Sequence, residues 1–246
     1  MFMFNVEILA AGFGTRLNEI GRQLPKGLIP YKETTLLGRM LNDLAHSSWQ
    51  GKIALTTNNK FFDQYSQYLK NNFPGLEIAV INNEVDVPEK KLGALGDLKL
   101  TLDRLNWYDQ DLLVLPSDTF FTFPLSDLFS FYQKHHGFVT VFRELPDKAI
   151  IANRLGCGVL DGDRVVEFIE KPADPPSNFA AVPLYFYPQN LLTRIDEYIK
   201  EGGNLDSPGQ IVGWLIKKGI PVWGFTYQGE YLDVGTVKDV EELKKL

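Results

Sequence analysis

Residues 8–30 read ILAAGFGTRLNEIGRQLPKGLIP. The stretch opens apolar, breaks into Gly12-Phe13-Gly14, and then carries two cations, Arg16 and Lys26. An apolar run ending in glycine is the pattern of a strand buried on both faces, as in a parallel sheet. The loop after such a strand lies at the carboxyl ends of the sheet, where open α/β folds bind ligands. Two familiar phosphate motifs fail here: the P-loop and the dinucleotide fingerprint both need glycine where Leu17 stands. What remains is G-x-G-T-R-L, with Pro25-Lys26 bringing the second cation ten residues after the arginine. Glycines let backbone N–H groups approach phosphate oxygens. Arg16 offers a planar fork and Lys26 a point charge. The loop is therefore predicted to hold phosphate groups. With Gly21 and Pro25 as breakers, NEIGRQLPKG is predicted to continue as loop.

Outward from this stretch, strand-like and helical runs alternate. TTLLGRMLNDLAHSS places Leu37, Met40, Leu41 and Leu44 at helical spacing. KIALTTN, LEIAVIN, DLLVLPSD and FVTVFRE read as strands; KFFDQYSQYLKNN, GALGDLKLTLDRLN and PLSDLFSFYQKHH read as helices between them. The alternation predicts a mostly parallel sheet flanked by helices. The pattern then changes. GCGVLDGDRVVEFIEKP predicts a hairpin turning at Asp161-Gly162-Asp163. Its imperfect alternation around Glu167 and Phe168 predicts a strand buried on both faces near its end. Pro183 in AAVPLYFYP suits a sheet edge or a bulge. Helices are expected over QNLLTRIDEYIKEG and SPGQIVGWLIKKG, the second with Ser207 as N-cap and Pro208 at its first position. Thr236 is placed to cap a last helix. No linker or repeat interrupts the chain. Residues 1–246 are thus expected to form one domain: about 1–145 as the alternating strand-and-helix part, about 146–235 as a small β-rich insertion, and 236–246 as the C-terminal helix.

With 44% hydrophobic and 23% charged residues, the composition is that of a globular protein. The net charge of −6 argues against nucleic acid, which needs a basic face. It does not exclude anionic small molecules, because surface charges beyond about 8 Å are largely screened. No apolar run approaches the roughly 20 residues that span a bilayer. MFMFNVEILA lacks a basic leader and a cleavage site, so it is expected to be the first strand. The single cysteine, Cys157, cannot form an internal disulfide; it suits a reducing, cytoplasmic setting and is expected to be structural. His46, His135 and His136 are assigned no chemistry.

Two acids stand at predicted strand ends, Asp118 in LLVLPSDTFF and Asp233 in EYLDVGT. Magnesium favours one or two carboxylates together with phosphate oxygens and water. Taken alone, a strand-end aspartate is more often a turn or cap residue.

Together, LAAGFGTRL, LPKGLIP, PSD, EKP and YLDVGT resemble the signatures of the sugar-1-phosphate nucleotidyltransferases, the NDP-sugar pyrophosphorylases, in order and over nearly the whole chain. The usual first motif is L-A-G-G-x-G-T-R-L; here Ala11 replaces the first glycine of the pair. The resemblance implies a Rossmann-like, glycosyltransferase-A-like fold. It implies that Ala10, Ala11, Gly12, Gly14 and Thr15 hold the triphosphate, and that Arg16 and Lys26 stabilise departing pyrophosphate. Asp118 and Asp233 are the implied Mg²⁺ ligands, with Asp118 also at the nucleotide. Ser117 stands where the family commonly has glycine. Glu170 and Lys171 match the motif that binds the sugar and its phosphate, and Gly158 the segment lying against the sugar. KKLGALGDL, with Gly93, takes the place of the nucleobase segment, although Asp97 is unusual there.

The implied reaction is in-line attack of a sugar 1-phosphate on the α-phosphorus of an NTP, with Mg²⁺ as cofactor. Thymidylyl or uridylyl transfer to glucose 1-phosphate is the first expectation. Guanylyl or cytidylyl transfer, and phosphocholine as acceptor, are the alternatives. A non-catalytic nucleotide-sugar sensor is the rival of another class; a nicotinamide oxidoreductase is disfavoured by the failed fingerprint. No membrane or nucleic-acid partner is expected, homo-oligomers are allowed, and no further C-terminal domain is expected after the last acid.

Overall fold

The structure, a computed structural model, describes residues 2–246. The first predicted strand forms β1 (Asn5–Leu9). After the glycine loop come α1 (Asn18–Gln23), α2 (Leu36–His46), β2 (Ile53–Thr57), α3 (Phe62–Asn72), β3 (Ile78–Asn82) and α4 (Ala94–Leu105). Then follow β4 (Leu112–Pro116), β5 (Thr119–Phe121), α5 (Leu125–His135) and β6 (Phe138–Glu144). Strands β3, β2, β1 and β4 lie side by side and parallel, each crossover made by a helix.

The last third adds β7 (Cys157–Asp161), β8 (Arg164–Ile169), β9 (Phe179–Tyr187), α6 (Gln189–Leu192), α7 (Arg194–Lys200), α8 (Gln210–Lys217), β10 (Val222–Tyr227), β11 (Tyr231–Asp233) and α9 (Val237–Leu243). β9 runs antiparallel to β4 and joins this third to the same nine-stranded sheet. β9, β6, β10, β8 and β7 each pair with the next, and β7 returns to β9, so the sheet closes on itself at this end. The Phe142 ring fills the interior of that closure. A methyl added at Gly158 would overlap the ring, and one at Gly224 would come within 3.1 Å of it.

Apolar residues cover both faces of the sheet. Leu37, Leu41 and Leu44 of α2 and Phe129 of α5 pack on one side. Leu95, Leu98 and Leu102 of α4 pack on the other, with Ile211 and Leu215 of α8. In α2 these are positions the helical spacing picks out, and every one named on either face is essentially dry.

Four expectations are corrected. NEIGRQ is helical, not loop: Gly21 packs beneath Gly14 so closely that any side chain would strike the Gly14 carbonyl, and Glu19 accepts from Arg22 and Gln23 one turn on. The end of β8 is not buried on both faces; Val166 and Glu167 are exposed. A bulge opposite Val159 and Leu160 makes Val166 the extra residue, which breaks the alternation. QNLLTRIDEYIKEG breaks at Thr193 into α6 and α7. α8 begins at Gln210, and Ser207 does not cap it: the Ser207 N–H instead donates to the Asn204 side chain. Pro183 falls at a register shift between β6 and β9, the bulge it was expected to suit.

Candidate active site

β1 delivers the chain into the glycine loop, and β2 anchors it: the Ala10 N–H donates to the Thr56 carbonyl (2.8 Å) and the Asn58 amide to the Ala11 carbonyl (2.9 Å). Gly14 sits at φ +64°, a conformation that favours glycine. Thr15, Arg16 and Leu17 make one turn of 3₁₀ helix. Phe13, Gly14, Thr15, Arg22, Lys60 and Pro88 wall a cavity of about 410 Å³ beside this loop.

Leu17, the residue that spoils both glycine motifs, is fully buried. It belongs to a small cluster with Ile29, Phe120 and Val234. Those four residues stand next to, or within three positions of, Arg16, Lys26, Asp118 and Asp233. One apolar contact set therefore gathers all four charged side chains, though they are spread over the whole sequence.

The acids meet as a consequence. β5 pairs antiparallel with β11, with Thr119 opposite Asp233, and the Val234 N–H donates to the Asp118 carbonyl (3.0 Å). The Lys26 ammonium donates to Asp118 Oδ2 at 2.6 Å, both side chains mostly shielded from solvent. Burial opposes the lysine charge, but Asp118 and Asp233 outweigh it, and the Lys26 pKa is raised. Burial and the neighbouring Asp118 push the Asp233 carboxyl up to about 6, against the pull of Lys26 and Arg16. The Arg16 guanidinium lies over Gly235, 3.1 Å from where a side chain there would begin. Asp239 accepts from the N–H groups of Gly235 and Thr236 and completes a capping box on α9, which fixes the segment after Asp233.

Glu170 and Lys171 follow β8. Lys171 adopts φ +47°, and its ammonium lies 3.9 Å from Glu170 Oε1. Burial raises the Glu170 carboxyl despite Lys171. Glu170, Phe168, Tyr198, Asn204 and Trp214 line a cavity of about 650 Å³. Burial raises the Tyr185 and Tyr231 phenols, Glu170 adding to the effect at Tyr185 and Asp233 and Asp118 at Tyr231. Burial holds both phenols neutral. Gly158 lies in β7 against Phe142, as described above.

Gly93, at φ +81°, opens α4, but its α-carbon is backed by the Leu205–Asp206 peptide: a side chain would meet the Leu205 carbonyl carbon at 2.6 Å. The Leu95 N–H donates to the Leu205 carbonyl (2.9 Å). Asp97, unusual in the sequence pattern, is buried and accepts from the Asn83 amide (2.7 Å); burial pushes its carboxyl to about 6. Cys157 is buried, its thiol against Ser177. No helix is long and apolar enough to cross a membrane among the described residues.

Sequence reading missed Tyr65 and Glu7. Both look like ordinary members of an amphipathic helix and a buried strand, and no local pattern marks them.

The sequence matches the family model described as Nucleotidyl transferase over residues 6–246. Mannose-1-phosphate guanyltransferase of Gibberella zeae is 26% identical over 242 residues, covering 94% of this chain and 61% of its own. UTP–glucose-1-phosphate uridylyltransferase of Synechocystis is 24% identical over 238 residues, covering 94% and 60%. The chain thus spans about three fifths of the length of the curated relatives it matches. Among solved structures, a UDP-glucose pyrophosphorylase complexed with UDP-glucose superimposes with a TM-score of 0.77 at 18% identity, covering 99% of this chain and 97% of that one. That likeness carries the fold, the glycosyltransferase-A-like nucleotidyltransferase architecture. A basic turn after β1, two acids joined across β5 and β11, and a family match over residues 6–246 converge: the chain belongs to the nucleotidyl transferase family.

Proposed function

We propose that the protein transfers a nucleotidyl group from an NTP to a sugar 1-phosphate, with Mg²⁺, releasing pyrophosphate. The observation that carries this reading is the meeting of Lys26, Asp118 and Asp233 beside the glycine loop. The donor set fits the ion. Two carboxylates stand together with an unfavourable like-charge interaction, and no third His, Cys, Asp or Glu joins them among the described residues. That leaves room for phosphate oxygens and water, the ligands magnesium keeps. When bound on Asp118 and Asp233, the ion supplies charge neutralisation at the phosphates.

The rest falls to the chain itself. Two unit charges about 4 Å apart repel by roughly 4 kcal/mol at an effective dielectric of 20, and both substrates are polyanions. Catalysis is then positioning and charge stabilisation, with no protein nucleophile. Backbone N–H groups from Ala11 to Thr15 take the phosphates, while the Ala10 N–H, spent on the Thr56 carbonyl, anchors the start of the loop. Arg16 and Lys26 face the charge that grows on the leaving pyrophosphate. The ion pair with Asp118 keeps the lysine charged and extended before substrate arrives. Lys171 holds the attacking phosphate and Glu170 a sugar hydroxyl, with Gly158 and Gly93 lying against sugar and base.

Relatives are named for uridylyl transfer to glucose 1-phosphate and for guanyl transfer to mannose 1-phosphate. dTTP or UTP with glucose 1-phosphate remains the first pairing to try, and GTP with mannose 1-phosphate the second. The test is pyrophosphate release across ATP, GTP, CTP, UTP and dTTP against a panel of sugar 1-phosphates and phosphocholine, with Mg²⁺ and with chelator. Release with one pair, abolished by chelator, is expected. No release with any pair would leave the nucleotide-sugar sensor as the reading.

A further inference from the structure

The buried tyrosine of α3 has no part in the reading above. Tyr65 lies 38 residues from the lysine loop in sequence, and its side chain is fully buried. Its hydroxyl accepts the Gly27 N–H at 3.2 Å. The Ser117 side chain adjoins the same hydroxyl, and burial raises the phenol far above its ordinary range. Gly27 has no room for a side chain: an added carbon would stand 2.9 Å from the Tyr65 hydroxyl, 3.0 Å from the Ser117 side chain and 3.1 Å from the Ser117 carbonyl. Gly27 and Ser117 are the immediate neighbours of Lys26 and Asp118, the two members of the 2.6 Å ion pair. Three segments from distant parts of the chain thus converge on one phenol oxygen.

We infer that Tyr65 is a positioning residue for the transfer reaction: its hydroxyl, with Ser117, locks the backbone of the lysine loop against the backbone that carries Asp118. The inference rests on the proposed transfer reaction. Its logic is that a lysine on a four-carbon stem is floppy, so its aim is set by where its α-carbon is held. A shift of about 1 Å in a charge-stabilising group can lower turnover about 100-fold. Ser117, at a position where glycine is common in the family, then has a purpose: it supplies a second polar neighbour for a phenol that burial keeps neutral.

Tyr65→Phe removes one oxygen and leaves the packing. It is expected to lower kcat about 10- to 100-fold while the KM for NTP changes less than about 3-fold. Ser117→Ala is expected to act in the same direction and more weakly. The discriminating measurement is the same substitution in a Lys26→Ala background. If Tyr65 works through Lys26, Tyr65→Phe has no further effect on kcat there. Full kcat in Tyr65→Phe, or an equal loss with and without Lys26, overturns the inference while wild-type activity upholds the transfer reading. A wild-type protein inert with every NTP and acceptor overturns the transfer reading itself, and the inference with it.

Discussion

Lys26 and Glu7 show how burial can serve two ends at single residues. Lys26 is shielded but paired, so its charge survives and is aimed. Lys26→Ala is expected to lower kcat about 100- to 1000-fold, the range for losing one preorganised donor, with circular dichroism unchanged. Retention of near wild-type turnover would remove it from the chemistry. Glu7 is the opposite case. It lies in the middle of β1, fully buried; the Thr56 and Thr101 hydroxyls lie beside its carboxyl but are bonded to each other, and neither carboxyl oxygen has a hydrogen bond of normal geometry. Burial, helped by Asp97, pushes its pKa up to about 8, although the Thr56 and Thr101 hydroxyls pull the other way. The unfolded chain releases this proton near pH 4.3. Between those values the folded state holds a proton the unfolded state gives up, so its stability is full at low pH and falls as pH rises to about 8, then levels. The slope from this one group approaches 1.4 kcal/mol per pH unit. Urea unfolding of Glu7→Gln from pH 5 to 8.5 is expected to lack that fall, and to show a variant more stable than wild type at the alkaline end. Parallel curves for the two proteins would exclude a raised Glu7 pKa.

At the scale of elements, the small cluster of Leu17, Ile29, Phe120 and Val234 matters more to the site than either large core. Leu17→Ala deletes a fully buried side chain, a change that costs about 2–5 kcal/mol. Leu102→Ala, equally buried under α4, costs a similar amount far from the cations. The expected outcome is comparable loss of Tm in the two variants but a much larger loss of kcat in Leu17→Ala. Equal kcat in both would mean that the cluster stabilises without positioning. Here the sequence was legible only in part. β1, the glycine turn, the α2 spacing and the Thr236 cap are local signals, and each lies where its pattern put it. Arg16, Lys26, Asp118 and Asp233 could be picked out by residue type and order, but their meeting depends on β5 pairing with β11, more than a hundred residues apart. The helix at Asn18–Gln23 was hidden because Gly21 reads as a breaker until Gly14 is seen above it. The role argued for Tyr65 was hidden because its hydroxyl partner comes from another loop.

Over the whole molecule, the parallel half could be foreseen from alternation, whereas the closure of β9, β6, β10, β8 and β7 could not, since no local pattern announces that β7 returns to β9. That closure gives Gly158 a second reason to be glycine. The proposed reaction would set it against the sugar; by packing it makes room for the Phe142 ring. The two reasons are separable. Gly158→Ala forces a methyl into the ring and is expected to destabilise the protein by about 1–3 kcal/mol, as overpacking does. Adding Phe142→Leu removes the aromatic edge and is expected to recover most of the lost Tm. The KM for the sugar 1-phosphate is then measured in the stabilised double variant, with Phe142→Leu alone as the control. A KM raised several-fold over that control assigns Gly158 to the acceptor as well as to the closure. A KM equal to the control assigns it to packing alone, and moves the acceptor's contacts toward Glu170, Lys171 and the aromatic cavity they border.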